Sequence, residues 1–116
     1  MVNESRQTLL ATEASEAETF GQRFKGLMGV TDFPMGHGLH LVPCTSIHTF
    51  FMKLPIDALF LDQSRVVLDV YHALRPWRMS RFHPGAHSVL ELPAGTALSS
   101  GTQPGDRLVF NVPARR

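Results

Sequence analysis

The sequence predicts a mostly β, α+β domain: a small antiparallel, barrel-like sheet with one N-terminal amphipathic helix packed on it. Three observations predict it. Turn signals built on Gly, Pro, Ser and Asp recur roughly every 8–12 residues, the spacing of a closed or nearly closed antiparallel sheet. The stretches between them are short and apolar or alternating, which suits strands. Only one early segment has helical spacing: Phe20, Phe24, Leu27 and Met28 fall at i, i+4, i+7 and i+8. The chain of 116 residues is expected to form one domain over residues 1–116, with a single core.

The elements follow in order. Gln7 to Glu13 reads as a first strand. Ser15 starts the helix, its hydroxyl capping and Glu18 completing a capping box three residues on. Gly29 ends it, and Arg23 and Lys25 suit the negative pole of its dipole. Val30 to Gly38 is turn-rich. Leu39 to Val42 and Ile47 to Met52 read as short strands around a Pro43–Ser46 turn. Ile56 to Leu61 and Val66 to Leu74 form a hairpin across Asp62-Gln63-Ser64. Arg75 to Pro84 is a loop. Ser88 to Leu92 is a strand ended by Pro93-Ala94-Gly95, and Gly95 to Gly101 a short helical turn. Pro104-Gly105-Asp106 launches the last strand, Arg107 to Val112, with Leu108, Phe110 and Val112 on one face. Arg115-Arg116 reads as a frayed tail.

Composition narrows the function classes. Hydrophobic residues make up 43% and charged residues 18%, the balance of a globular chain. The formal net charge is only +1, so no global field recruits nucleic acid or membrane. Six histidines make the charge sensitive to pH below about 6.5. A single cysteine forms no internal disulfide, so folding needs no oxidising compartment. The first residues lack the apolar core of a signal peptide, and no apolar run reaches the ~18 residues of a membrane span. A cytoplasmic location is expected.

Several segments, in order, resemble the DUF192 family of small bacterial and archaeal proteins: RFKGLMG, FFMKLPIDALFLD, VLELPAG and GDRL. The resemblance runs from about Arg23 to Phe110. It implies a compact, mostly β fold resembling a small barrel, with a helix against it, and no assigned activity. Met52, Lys53, Pro55, Asp57, Glu91, Gly95 and Gly105-Asp106 fall on the family pattern. Family members often read FWMKNT where this chain has Phe51, Met52, Lys53 and Leu54, so the tryptophan and the Asn-Thr pair are missing here.

Four groups of residues carry candidate chemistry. Cys44 and His48, with Asp57 to orient the imidazole, are the parts of a thiol-dependent hydrolase or transferase. The alternative is a cysteine packed as a small apolar side chain. His37, His40, Cys44 and His48 have ligand chemistry, but Gly36, Gly38 and Pro43 break the helix that would align them. No metal site is expected, and no cofactor motif appears. Arg75, Arg78 and Arg81 recur at steps of three among Tyr71, Trp77 and Phe82. Such forks beside flat rings hold a phosphate, a carboxylate or an unstacked base. A solvated loop is the plain alternative, its arginines paired to Asp62, Asp69 or Glu91, or Arg78 stacked on Trp77. Asp57 and Glu91, each flanked by apolar residues, need cations or backbone donors if buried.

The first reading is a binding or accessory module rather than a catalyst. Its partner is an anionic small molecule or a protein, held by Lys53, Arg75, Trp77, Arg78 and Arg81, with His48 nearby. The second is the enzyme built on Cys44, His48 and Asp57. The third is a small RNA-binding barrel, against which a pI of 8.0 and the lack of a long basic stripe both count.

Overall fold

The computed structural model describes residues 1–110. Eight strands and two short helices follow one another as β1 (Val2–Asn3), β2 (Thr8–Leu9), β3 (Ala11–Ala17), α1 (Phe20–Lys25), β4 (Gly36–Leu41), β5 (Ile56–Leu61), β6 (Val67–Leu74), β7 (Ser88–Pro93), α2 (Thr96–Ser100) and β8 (Leu108–Val109). A five-stranded sheet has the order β3-β4-β7-β5-β6, and a three-stranded sheet the order β2-β1-β8. No helix among the described residues is long and apolar enough to cross a membrane.

The fold is α+β and mostly β, but it is not a barrel. The larger sheet is open, with β3 and β6 as its free edges. It is also mixed, because β3 pairs with β4 in parallel. Regular turn spacing cannot tell an open sheet from a closed one, since both need a reversal every few residues.

β5 and β7 are buried at every position and form the centre of the sheet. Their apolar residues serve two cores. Leu59, Leu61, Leu90 and Leu92 pack with Ala97 and Leu108 on one face. Ile56, Ala58, Phe60 and Val89 pack with Leu27, Ile47 and Met52 on the other. Both strands are apolar except at Asp57, Ser88 and Glu91, because each of their faces is covered.

The predicted N-terminal helix is corrected in three ways. Ser15 lies in β3, opposite Leu39 of β4. Pairing with β4 overrides the helix preference of the Ala- and Glu-rich run. The cap is Thr19, whose side chain accepts from the Gln22 N–H while Gln22 reaches back to the Thr19 N–H. The helix ends at Gly26, not Gly29, and buries no residue. Phe20 and Phe24 are 77% and 54% exposed, so of the predicted stripe Leu27, beyond the helix, is the residue buried against the sheet.

Ile47–Met52 is irregular rather than a strand. Among the described residues its one β-bridge joins His48 to Met79. The hairpin of β5 and β6 and the helical turn after Gly95 match the sequence reading closely. Leu108 and Phe110 are both buried, as expected of one face, while Val112 of the predicted last strand lies outside the described residues.

Candidate functional site

The site begins with how the loop from Arg75 to Pro84 is tied down. Thr49 is fully buried, and its hydroxyl donates to the Arg75 carbonyl at 2.6 Å and accepts from the Arg78 N–H at 2.8 Å. The Trp77 N–H donates to the Thr49 carbonyl, the Ser80 N–H to that of Ile47, and the His83 N–H to that of Thr45. The loop is therefore laced along residues 45–49 by backbone hydrogen bonds. Such bonds cannot be left unmade in a buried segment without cost.

This lacing brings distant rings together. Phe20 meets Phe24 at 6.3 Å, Phe24 meets His48 at 5.0 Å, and His48 meets Phe50 at 5.0 Å. Phe50 then meets Trp77 at 6.0 Å, and Trp77 meets Phe51 at 4.6 Å. All are within the range of favourable aromatic pairs. The result is an unbroken chain of six rings, with Phe20, Phe24, Phe51 and Trp77 exposed.

Beside this ladder lies a cleft of about 390 Å3 between α1, the 43–48 segment and Met79. Arg23 and Lys25 stand on its helix side, Cys44 and His48 on its loop side, and Glu91 of β7 reaches it from the sheet. Trp77 lines a second, shallower groove with Phe51 and Lys53, and the two grooves share Met28 and Met52.

Glu91 is 3% exposed, and its Oε1 has no hydrogen-bond partner among the described residues. Its cross-strand neighbours are Leu39 and Ala58, neither of which offers a donor. The carboxyl points at the end of α1, where a Cβ added to Gly26 would sit 3.8 Å from Oε1. Burial without a counter-charge pushes its pKa up to about 8, so the group is predominantly protonated at neutral pH.

The three residues of the thiol-dependent reading do not come together. Cys44 donates its thiol hydrogen to the Ser46 carbonyl at 3.1 Å, and burial pushes its pKa up. His48 accepts from the Phe50 N–H at Nδ1, so its Nε2–H is the donor to the Phe24 carbonyl. Both ring nitrogens are occupied by backbone. Asp57 lies on the opposite face of the sheet from Glu91, because the two are on β5 and β7 positions one residue out of register. Its oxygens accept from the N–H groups of Ala73, Gly95 and Ala97, which fixes the start of α2.

The arginines of the loop make none of the ion pairs weighed from the sequence. His83 holds Asp69 at 2.9 Å, and Asp62 accepts from the Ser64 and Val66 N–H groups. The cation–π contact present is Arg65 over Phe110. Arg75, Arg78 and Arg81 line neither groove. Among the described residues, no carboxylate pairs with Arg23, Lys25, Lys53 or these three arginines. No group of three or more His, Cys, Asp and Glu residues converges to hold a metal ion among the described residues.

Sequence reasoning singled out Trp77, Lys53, Cys44 and His48 but missed Arg23 and Met79 as neighbours of the cleft. Their placement depends on contacts between segments far apart in the chain. An acidic residue between two leucines was the only local signal for Glu91.

Together these features define an open mixed-sheet α+β domain with an aromatic ladder beside a cleft that has an acid on its floor. The chain belongs to the DUF192 family, described as an uncharacterized ACR, whose profile matches residues 1–110. A UPF0127 protein of Thermococcus sibiricus is 33% identical over 120 residues, covering 100% of this chain and 77% of the relative. A UPF0127 protein of Pyrococcus horikoshii is 34% identical over 113 residues, covering 93% of this chain and 96% of the relative. A crystal structure of a Novosphingobium aromaticivorans protein of unknown function shares the fold. Its TM-score is 0.75 at 24% identity, covering 81% of this chain and 71% of that one.

Proposed function

We propose that the protein is a binding module for an anionic small molecule with a flat apolar body. The observation that carries this reading is the six-ring ladder running beside the cleft, with four of its rings exposed. Exposed aromatic side chains contribute large contact areas at low entropic cost. The apolar body of the ligand rests on these rings, and its charge meets Arg23 and Lys25 on the cleft wall. Lys53, beside Trp77, adds a cation at the far end of the ladder. Arg75, Arg78 and Arg81 line neither groove, so in this reading they act on an anion only at longer range.

The thiol-dependent reading finds less support. A cysteine needs a base or a nearby cation to react at neutral pH; His48 is engaged at both nitrogens, and burial raises the thiol more than Arg23 lowers it. An RNA-binding barrel loses its scaffold, since the sheet is open.

Trp77 is the sole tryptophan, so its fluorescence reports on the ladder directly. Titration with phenylacetate is expected to change that fluorescence saturably. Phenylacetamide, which keeps the ring but lacks the charge, is expected to bind more weakly. Equal responses to both probes would remove the anionic part of the reading, and no response to either would remove the binding site.

A further inference from the structure

We propose that the Glu91 carboxyl, on the floor of the cleft, is the hydrogen-bond donor that recognises a carboxylate on the ligand. This rests on the binding module proposed above and names the chemical class that the cleft selects.

The inference stands on four observations. Glu91 is buried on a central strand, yet reaches a cleft wide enough for a small molecule. Its Oε1 has no partner among the described residues, although leaving a buried polar atom unpaired is costly. Its strand neighbours, Leu39 and Ala58, supply neither charge nor donor. The charged groups that share the cleft lining with it are the cations Arg23 and Lys25.

A protonated acid in this position has one O–H to give. A ligand carboxylate is the natural acceptor, because an O–H to O⁻ bond is charge-assisted and about twice as strong as a neutral one. Arg23 then faces the same carboxylate from the helix, and the ligand's ring is left against Phe24 and the ladder. A cationic ligand fits worse, since it would lie among Arg23 and Lys25 and would have to ionise Glu91 in an apolar surround.

The titratable groups that line the same cleft as Glu91 are Arg23 and Lys25 of α1, and Cys44 and His48 of the 43–48 segment. β4 and β5 contribute Leu39 and Ala58. Cys44 is the other acid whose titration lies near the alkaline end, and its thiol is already pushed up by burial. A Cys44→Ser background removes it from the measurement.

The test measures phenylacetate binding from pH 6 to 9.5 by amide chemical shifts. It compares the Cys44→Ser protein with the same protein carrying Glu91→Gln, whose amide still donates. The expected result is binding that weakens about tenfold per pH unit above about pH 8 in the first, and stays level in the second. If both profiles are level and equal, Glu91 does not touch the ligand, although the cleft still binds an anion. If phenethylammonium binds instead and tightens above about pH 8, Glu91 acts as an anion and the proposal is overturned. If neither probe shifts any amide, the binding module itself fails, and the inference fails with it. Because Glu91→Gln keeps the shape of the side chain, a matching amide spectrum without ligand verifies its fold. If that variant does not fold, the pH profile of the Cys44→Ser protein alone decides the question.

Discussion

Trp77 and Phe51 bring their rings to 4.6 Å while both hold left-handed backbone, at φ of 65° and 63°. For bulky residues each such conformation costs on the order of 1–3 kcal/mol. The strain is held in place by Thr49, whose backbone and hydroxyl grip the loop at Arg75, Trp77 and Arg78. Strain of this kind occurs at ligand clamps and in tight turns alike, so the pair serves either binding or the folding of the loop.

Trp77→Gly separates these roles. Glycine adopts positive φ freely, so relief of strain offsets the lost ring contacts of about 0.5–1.5 kcal/mol. The melting temperature is expected to stay within a few degrees of wild type. Phenylacetate binding, followed by amide shifts, is expected to fall about tenfold or more. A variant that binds as well as wild type would show that the ladder is idle.

Asp57→Asn is expected to destabilise the fold strongly. Three N–H groups lose a charged acceptor, and the asparagine NH2 opposes at least one of them. Each strained or unmade bond costs about 1–3 kcal/mol. The expected loss is about 3 kcal/mol or more, read as a drop in melting temperature of about 10 °C or more. A small change would mean that α2 is anchored elsewhere.

Glu91 also sets a pH dependence of stability. Its folded pKa of about 8 is above the ordinary 4.5, so the folded state holds its proton more tightly than the unfolded chain. The resulting stability is fully present below about pH 4.5 and is lost as pH rises through about 8. The span is worth on the order of 4–5 kcal/mol. Denaturant titrations of wild type and Glu91→Gln should therefore diverge between about pH 5 and 8, with the variant the more stable of the two at pH 9. His40, lowered by burial, and Asp106, held low chiefly by Arg6 and Asn3 against the opposing effect of burial, contribute alike in both proteins and cancel in the difference.

Cys44 is expected to react slowly. Burial raises its thiol, and its hydrogen is given to the Ser46 carbonyl. Iodoacetamide should modify the native protein several-fold more slowly at pH 7.5 than the same protein in denaturant. Faster reaction in the native state would restore the thiol-dependent reading.

The strands were legible where burial was complete. Ile56–Leu61 and Ser88–Leu92 are apolar except at Asp57, Ser88 and Glu91, because both faces of the central sheet are covered. The helix was misplaced because Thr19-Phe20-Gly21-Gln22 and Ser15-Glu16-Ala17-Glu18 each offer a capping pattern, and only the pairing of β3 with β4 decides between them. Open sheet and barrel differ in which strands meet across the fold, which local spacing does not encode. Trp77, Lys53, Cys44 and His48 stood out by residue type. Glu91 as a cleft acid did not, because its lack of a partner is a property of β4, β5 and α1 together.

The most direct test of the binding site is an amide chemical-shift map of the full chain titrated with phenylacetate at pH 6.5. The account predicts saturable shifts at residues 23–28, 43–48 and 77–79 and at Glu91. Shifts confined to the opposite face of the sheet, around Asp57 and α2, or to the turn at Gln63 and Ser64, would contradict it.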